Sequence, residues 1–279
     1  MITASIVLYK TSQKETETIV HSVIQSKSIE KLYVIDNSPT DALAWVKDLA
    51  PIIEYIKNKN TGYGSSHNIA LRKAIERNSD YHIVLNPDII FEPHVIPKIK
   101  EYMDAETDTV YLLPKVIYPD GETQHLAKLL PTPFHLIFRR FLPKNRMFNK
   151  MQNKYVLFNS GYDKIINPPS LSGCFMFLRV KTLKEKNIFF DERFFMYFED
   201  FDLIRRIHRV SKTIYYPYVQ IIHNHGRESY KNSKMLKIHL RSALCYFNKH
   251  GWIFDKERRI MNKQIINEIK ILNTLKVSK

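Results

Sequence analysis

The sequence predicts an α/β fold with a mostly parallel, doubly wound sheet flanked by helices. Short apolar and β-branched runs alternate with segments of helical spacing through residues 1–113, which is the order that a parallel sheet requires. The chain has 279 residues and 44% hydrophobic content, so it can bury a full core without disulfides or a structural metal. This composition excludes wholesale disorder.

Local signals define the elements of the first half. A buried strand is predicted at 2–9, and Ser12 with Glu15 forms a capping box that opens the first helix. Ser65 or Ser66 is expected to cap a helix over 68–76. The remaining elements alternate, with strands at 31–35, 52–56, 82–85 and 110–113 and helices at 42–49 and 95–103.

The pattern changes after about residue 114. Residues 131–170 are aromatic, basic and rich in loop signals, which fits base stacking, a membrane-facing surface or a simple cover for the core. Strands are predicted at 171–178, 213–216 and 219–223, a helix at 199–209, and helical spacing from Arg227 onward. The tail holds apolar residues among basic ones, typical of either an interfacial helix or a helix packed on the domain: Ile238, Leu240, Leu244, Phe247, Trp252 and Phe254.

The positive charge is confined to the second half. Residues 1–130 carry 14 Lys+Arg and 17 Asp+Glu, whereas residues 131–279 carry 29 and 11. This asymmetry predicts an anionic partner for the second half: nucleic acid, lipid headgroups or a phosphorylated substrate. Cys174 and Cys245 show no metal spacing and are expected to be reduced and buried. The sequence shows no signal peptide and no 18-residue apolar stretch.

Polar residues follow several predicted strands, where ligands bind in open α/β sheets. Asp36 and Asp88 come just after strands and Tyr9 ends one. Asp88, in Asn86-Pro87-Asp88, can hold a divalent cation that bridges a diphosphate, although a helix-capping role is also open. The loop around Gly62, which contains two of only seven glycines, suits a nucleotide at the start of a helix.

Two further segments carry candidate chemistry. Glu199, Asp200 and Asp202 crowd three carboxylates into an aromatic setting, which favours a raised pKa and a general base. The alternative is that acidic residues simply favour a helix N-terminus, which stays equally open for Glu199 and Asp200. For Asp202 we favour that alternative or a salt bridge to Arg205 or Arg206. His223 and His225 lie two residues apart after a strand and are expected to point to the same side. One of them could ligate a metal or contact a phosphate.

In this order the motifs resemble glycosyltransferase family 2, of GT-A fold with a Rossmann-like central sheet, and in particular its bacterial rhamnosyltransferase-like subgroup. The resemblance covers about residues 1–230. The matching segments are 6–9, 34–38, 60–64 with 68, 85–88, 171–176, 190–203 and 223–226. It implies a GT-A domain at 1–230, with a nucleotide-sugar half at 1–113 and an acceptor half at 114–230, followed by a basic helical extension at 231–279.

The resemblance also implies residue roles. Asp200, in the acidic pair with Glu199, would be the catalytic base, and Asp88, His223 or His225 would lie at a Mg²⁺ or Mn²⁺ ion. Asn86 stands where the family's metal motif has its first Asp, so metal binding there rests on one carboxylate. The nucleotide sugar would contact Tyr9, Asp36, Asn37, Gly62, Tyr63, Asn68, Asn86, Asp88 and Gly173.

The implied activity is metal-dependent, inverting transfer of a sugar, with rhamnose suggested by the subgroup. The donor would be a dTDP- or UDP-sugar, and the acceptor an oligosaccharide or lipid-linked glycan of the bacterial surface. The expected location is the cytoplasm, peripheral on the inner membrane face, with no nucleic acid bound. Two alternatives stay open: a nucleotidyltransferase, although 9–12 lacks the glycine of a triphosphate loop, and a non-catalytic nucleic-acid or anionic-surface binder, which leaves 199–202 unexplained.

Overall fold

A computed structural model of the chain describes residues 1–135, 146–224 and 233–277. In chain order the strands are β1 Ile2–Leu8, β2 Lys31–Asp36, β3 Ile53–Lys57, β4 Tyr81–Leu85, β5 Ile89–Ile90, β6 Thr109–Ile117, β7 Phe175–Arg179 and β8 Lys212–His223. The helices are α1 Gln13–Ser26, α2 Tyr63–Glu76, α3 Val95–Ala105, α4 Arg146–Tyr155, α5 Val180–Glu185, α6 Glu199–His208, α7 Ser233–His250 and α8 Lys256–Val277. Two 3₁₀ turns lie at Ala44–Asp48 and Phe158–Ser160.

The strands form one eight-stranded mixed sheet of order β3-β2-β1-β4-β7-β6-β8-β5. Strands β1 to β4 pair in parallel, as the alternation of strands and helices predicts. Strand β7 runs antiparallel to both of its neighbours, β4 and β6, and β8 returns parallel to β6. The sheet therefore confirms the predicted α/β class, with β5 and β7 as its antiparallel members.

The pairing register brings several strand ends to one edge of the sheet. Leu85, the last residue of β4, pairs with Phe175, the first residue of β7, so Gly173 and Cys174 lie beside the chain that leaves β4. The short β5 pairs antiparallel with β8 and sets Ile89 opposite His223. Residues just after β4, just before β7 and at the end of β8 therefore converge.

The core is continuous from the sheet into the last helix. Every residue of β1 and β4 is buried, as expected for strands covered on both faces. Ile265 and Ile269 of α8 belong to the same apolar cluster as these strands. A second cluster joins α7, through Tyr246 and Phe247, to Phe194 and Phe198. The described part of the extension is thus packed on the preceding elements. None of the described helices is long and apolar enough to span a bilayer.

Several local predictions were wrong for identifiable reasons. Helix α2 begins at Tyr63 rather than at 68, and Gly62 is its N-terminal cap. The hydroxyls of Ser65 and Ser66, the predicted caps, instead donate to the Gly62 carbonyl from within the first turn. The segment 42–49 forms only a 3₁₀ turn. The two strands predicted around Pro217 are one strand, because β8 accommodates the proline as a bulge in its pairing with β6.

The loop-rich prediction for 131–170 missed α4, whose ten residues carry the amphipathic spacing of a helix. Tyr155 and Tyr162 are buried core residues, whereas Phe134 and Phe158 are about half exposed, at 47% and 48%. Both cysteines are free, as predicted, but only Cys174 is buried, since Cys245 is half-buried.

Candidate active site

Asp88 and His223 lie together at the carboxyl edge of the sheet. The pairing of β5 with β8 places the Asp88 Oδ2 atom 3.3 Å from the Nε2 atom of His223. The Asn224 amide donates to the Asp88 carbonyl at 3.0 Å and fixes the chain beyond β8. The other carboxylate oxygen, Oδ1, is buried with no hydrogen-bond partner among the described residues.

Gln124 orients the His223 ring. Its amide nitrogen donates to the His223 carbonyl at 2.7 Å, which turns its oxygen toward Nδ1 at 3.0 Å. An amide oxygen only accepts, so Nδ1 carries a proton, and Nε2 is the ring nitrogen that faces Asp88. A second partner that fixes the tautomer in this way is typical of metal-binding histidines.

The Asp88–His223 pair fits a divalent cation. Adjacent ligands of an octahedral ion with bonds of about 2.1 Å are about 3 Å apart, close to the 3.3 Å observed between Oδ2 and Nε2. The buried, unpartnered Oδ1 is a further acceptor atom that an ion would satisfy. Within the described parts of the chain, no group of three or more His, Cys, Asp or Glu side chains is placed to hold a metal.

Asp200 approaches the same edge from the first turn of α6. Its carboxylate accepts from the Gly173 amide at 3.2 Å and from the Phe201 amide at 2.8 Å. A side chain at position 173 would collide with it, because a Cβ there lies 3.0 Å from the Asp200 Cβ. Glycine at 173 therefore permits the close approach of β7 and α6.

The two neighbouring carboxyls of α6 have different surroundings. Burial raises the pKa of Asp200, while the Lys128 ammonium and the amides of Phe201 and Gly173 oppose that rise. Burial, and then the charge of Asp200, raises the pKa of Glu199 well above its usual range. The Oε2 atom of Glu199 is buried without a hydrogen-bond partner among the described residues. Asp200 is thus the member of the pair that ionises first, and Glu199 keeps its proton.

The turn that presents this pair is strained and is held by α7. Tyr197 and Phe198 have left-handed backbones, with φ of 68° and 66°, which cost about 1 kcal/mol or more each in non-glycine residues. Their rings pack against α7, with centroids 5.2 Å from His239 and 5.4 Å from Tyr246 respectively. Packing by α7 therefore keeps Glu199 and Asp200 at the start of α6.

Tyr63 links the two halves of the site. Its hydroxyl lies 2.9 Å from the Asn86 side-chain oxygen and 3.0 Å from the Gly173 carbonyl. Burial raises the pKa of Tyr63 well above its usual range, and the nearby carboxylates of Asp200 and Asp88 raise it further. The hydroxyl therefore remains a neutral donor that ties α2 to the chain before β7.

The predicted nucleotide side has one open residue and several buried ones. Tyr9 is 49% exposed beyond the end of β1. Asp36 is fully buried, accepting from the Ser38 amide and the Tyr55 hydroxyl at 2.8 and 2.7 Å. Asn37 is buried against the hydroxyl of Ser66. These hydrogen bonds account for the burial of Asp36 and Asn37, and the contact of both residues with a nucleotide remains a prediction.

Gly62 and Asn68 hold α2 against the segment that leads to α6. Gly62 has φ +111°, and a Cβ there would lie 2.3 Å from the Phe195 carbonyl oxygen, so only glycine fits. Asn68 is fully buried and bonds both backbone groups of Phe190 and the Glu192 carboxylate. These contacts account for both residues by packing, and their predicted role toward the nucleotide stays a prediction.

Two residues of the candidate site were not predicted from the sequence, and one predicted residue cannot be placed. Gln124 and Lys128 were not singled out, because each is recognisable only from the side chain that it faces. His225 lies outside the described residues. The salt bridge predicted for Asp202 is confirmed with Arg206, at 2.8 Å, whereas Arg205 pairs elsewhere.

The fold is that of the GT-A class of glycosyltransferases. Its features here are parallel strands with Asp36 and Asp88 at or just beyond their ends, the antiparallel strand β7 beside them, and the acidic first turn of α6. Solved structures agree. TarS of S. aureus superposes with a TM-score of 0.58 at 15% identity, over 96% of this chain and 42% of TarS. The mannosyltransferase PcManGT of Pyrobaculum calidifontis, in complex with GDP-Man and Mn²⁺, gives 0.57 at 14% identity, over 88% of this chain and 64% of that one.

The family model for glycosyl transferase family 2 matches residues 5–201, which is more than half of the chain. The chain belongs to this family. It is 26% identical over 227 residues to the rhamnosyltransferase WbbL of Escherichia coli K12, covering 77% of this chain and 81% of WbbL. It is 25% identical over 215 residues to an N-acetylglucosaminyl-diphospho-decaprenol L-rhamnosyltransferase of Mycobacterium tuberculosis, covering 69% of this chain and 66% of that protein.

Proposed function

We propose that the protein transfers a sugar, with rhamnose as the first candidate, from a nucleoside-diphosphate donor to a lipid-linked glycan of the bacterial surface. Membership of glycosyltransferase family 2 supports the reaction class. The relatives named above as rhamnosyltransferases, one of them acting on a diphospho-decaprenol substrate, support the sugar and the acceptor. The family assignment does not favour a nucleotidyltransferase or a non-catalytic binding protein.

One observation carries the proposal: Gly173 joins the two halves of the site. Its amide contacts Asp200 and its carbonyl accepts from Tyr63, which also contacts Asn86, two residues before Asp88. The proposed base, Asp200, and the proposed diphosphate site at Asp88 would thus lie on either side of one glycine. This arrangement suits a sugar placed between an acceptor hydroxyl and a departing diphosphate.

In the proposed reaction Asp200 takes the proton of the acceptor hydroxyl. The acceptor oxygen then forms a bond to the anomeric carbon from the side opposite the diphosphate, whose bond to that carbon breaks, so the configuration inverts. Asp88 and His223 would hold a Mg²⁺ or Mn²⁺ ion, which supplies neutralisation of the charge on the departing diphosphate when bound. The charge of Lys128 opposes the rise that burial causes in the pKa of Asp200 and so favours its ionised form.

A donor panel tests the proposal. The protein is incubated with dTDP-rhamnose, UDP-sugars and GDP-mannose, each with Mn²⁺ or with EDTA, and the released nucleoside diphosphate is measured with and without a prenyl-diphosphate-linked N-acetylglucosamine acceptor. We expect cation-dependent release from one donor, accelerated by the acceptor. Absence of release from every donor, together with no nucleotide binding, would contradict the proposal.

A further inference from the structure

The loop between α7 and α8 exposes three consecutive large apolar side chains. Trp252, Ile253 and Phe254 are 41%, 69% and 88% exposed. No other three consecutive large apolar residues are exposed in the described parts of the chain. Leaving such a group in water costs free energy, and contiguous exposed apolar surface of this kind marks a contact with another molecule or a membrane.

The backbone of this loop is fixed. Gly251 turns the chain with φ +102°, and its amide donates to the Phe247 carbonyl at 2.8 Å. The Trp252 ring packs on Phe247, 5.3 Å between centroids, and its N–H donates to Asn248. From the other side the buried Arg258 guanidinium donates to the carbonyls of Trp252 and Ile253, both at 3.2 Å. The apolar tip is therefore presented in advance, which reduces the entropy lost on binding.

The helix that leads to the loop is basic on its outward face. Residues 233–254 contain four Lys or Arg and no Asp or Glu. Lys237, Leu240, Arg241 and Leu244 follow the spacing of one helix face and are all exposed. Lys237 and Arg241 form no ion pair with another residue in the described ranges, so their charges face outward uncompensated.

We propose that this surface, consisting of the outward face of α7 and the tip 252–254, is a wedge that inserts into a bilayer of anionic phospholipid. Trp and Phe favour the boundary between headgroups and acyl chains, while Lys and Arg beside them attract anionic headgroups. The inference deepens the proposed function, on which it rests for the lipid-linked acceptor. A second copy of the chain is a poor occupant, because a two-fold contact would set this basic face against itself.

The wedge also explains how the site meets such an acceptor. The inward face of α7 packs on the turn before Glu199, through Tyr246 on Phe198 and through the Ser242 hydroxyl, which donates to the Met196 carbonyl at 2.8 Å. One helix therefore separates the bilayer from the segment that carries the proposed base. Binding through the wedge would therefore bring the segment that carries the proposed base to one helix diameter, ~10 Å, from the leaflet that anchors the acceptor.

Vesicle flotation of the full chain tests the wedge. Vesicles of phosphatidylcholine with and without phosphatidylglycerol are used at low salt. We expect flotation only with the anionic lipid, and a decrease on the order of 100-fold in binding for Ile253→Ser/Phe254→Ser, about tenfold for each side chain. Tyr218→Ser, which removes a 66% exposed aromatic from β8, is the matched control and is expected to bind as the wild type does.

The charge contribution is tested separately. Lys237→Gln/Arg241→Gln is expected to weaken binding about fivefold for each charge, with a smaller salt dependence. Lys14→Gln/Lys47→Gln removes two exposed charges from other elements and serves as the control. Insertion itself is followed in a Trp45→Phe background, where Trp252 is the remaining tryptophan and is expected to be quenched by brominated acyl chains.

Three results would overturn the proposal: no flotation with anionic lipid, flotation unchanged by the serine pair, or a change of oligomeric state in that variant, which would assign the tip to protein contacts. Donor hydrolysis in detergent-free buffer distinguishes the wedge from the proposed function. We expect the serine pair to hydrolyse donor at the wild-type rate. If no donor is hydrolysed while the protein still floats through the wedge, the proposed reaction fails and the wedge stands.

Discussion

At the scale of single residues, Asp200 and Glu199 are adjacent carboxyls with separate tasks. The Asp200 carboxylate accepts hydrogen bonds from two backbone N–H groups, and the charge of Lys128 opposes the rise that burial causes in its pKa. In contrast, an oxygen of Glu199 is buried without a hydrogen-bond partner among the described residues. Replacement of each should therefore have a different consequence.

Asp200→Asn is expected to reduce transfer about 10²- to 10⁴-fold, the usual contribution of a general base, with donor affinity unchanged. Single-turnover rates and nucleotide-sugar binding measure the two quantities. Asp108→Asn, at an exposed carboxylate paired with Lys212, is the control. Near-wild-type transfer by Asp200→Asn would show that another group takes the proton.

Glu199→Gln is expected to stabilise the fold near neutral pH. The folded-state pKa of Glu199 is raised, so above its unfolded pKa of about 4.5 the unfolded chain ionises while the folded chain holds its proton, and stability falls as pH rises. Gln removes this penalty. We expect a Tm gain of about 2 °C or more at pH 7.5 that disappears near pH 4.5. A pH-independent difference in Tm would contradict the assignment.

Gln124→Leu is expected to weaken Mn²⁺ binding about 10- to 100-fold in the presence of nucleoside diphosphate, because the His223 ring loses the partner that fixes its tautomer. Electron paramagnetic resonance of free Mn²⁺ measures the affinity. Gln264→Leu, at an exposed position of α8, is the control. Reduced stability with unchanged Mn²⁺ affinity would mean that Gln124 only supports the fold.

At the scale of secondary-structure elements, α6 is joined to α8 by buried charge. Arg205 is 1% exposed and forms two hydrogen bonds with Asp255, both at 2.7 Å, and a third with Glu257. Asp202, also buried, is paired with Lys249 and His250 of α7. Removing one partner of such a pair leaves the other charge unpaired in the interior, which destabilises the fold.

Asp255→Asn is expected to destabilise the protein by about 3 kcal/mol, because Arg205 loses its fully buried counter-charge and keeps only the half-buried Glu257. The amide oxygen can still accept from the Arg258 N–H that begins α8, so the change isolates the charge from the helix cap. Urea unfolding measures the difference. Asp41→Asn, in an exposed pair with Lys57, should cost less than about 1 kcal/mol.

Much of the fold was predictable because its signals are local. The Ser12–Glu15 capping box is formed as predicted, and the five strands of the first half lie where the apolar runs place them. The antiparallel direction of β7 and the presence of a strand at β5 were not predictable, since both depend on pairing with distant strands. Within the site, Asp88, His223 and Asp200 were identified from motifs, whereas Gln124 and Lys128 act only through the residues they face.

At the scale of the whole molecule, the positive charge divides into an inner and an outer set. The inner set forms ion pairs with buried carboxylates: Arg205 with Asp255, and Arg206 and Lys249 with Asp202. The outward residues of α7 are left to attract an external anion. The asymmetry seen in the sequence thus has two components, and the proposed membrane contact involves only the outer set.

Transfer to a membrane-embedded acceptor is therefore expected to decline as salt is raised from about 50 to 500 mM, since screening weakens attraction between exposed charges and headgroups. Transfer to a short water-soluble acceptor analogue should be much less sensitive, because Asp200 is half-buried and carries no exposed attraction to a membrane surface that salt would screen. The ratio of the two rates at each salt concentration is the measurement. Equal salt dependence would place the effect at the catalytic site instead.

The buried pair of Arg205 with Asp255 has a consequence for protein engineering. A chimera that grafts this catalytic core onto the C-terminal helices of a relative would leave an arginine in the interior without its counter-ion, unless the incoming helices supply a carboxylate at the same place. A segment exchanged between two proteins should therefore include both positions 205 and 255. Relatives that can supply the C-terminal helices can be recognised from the residues that they carry at these two positions.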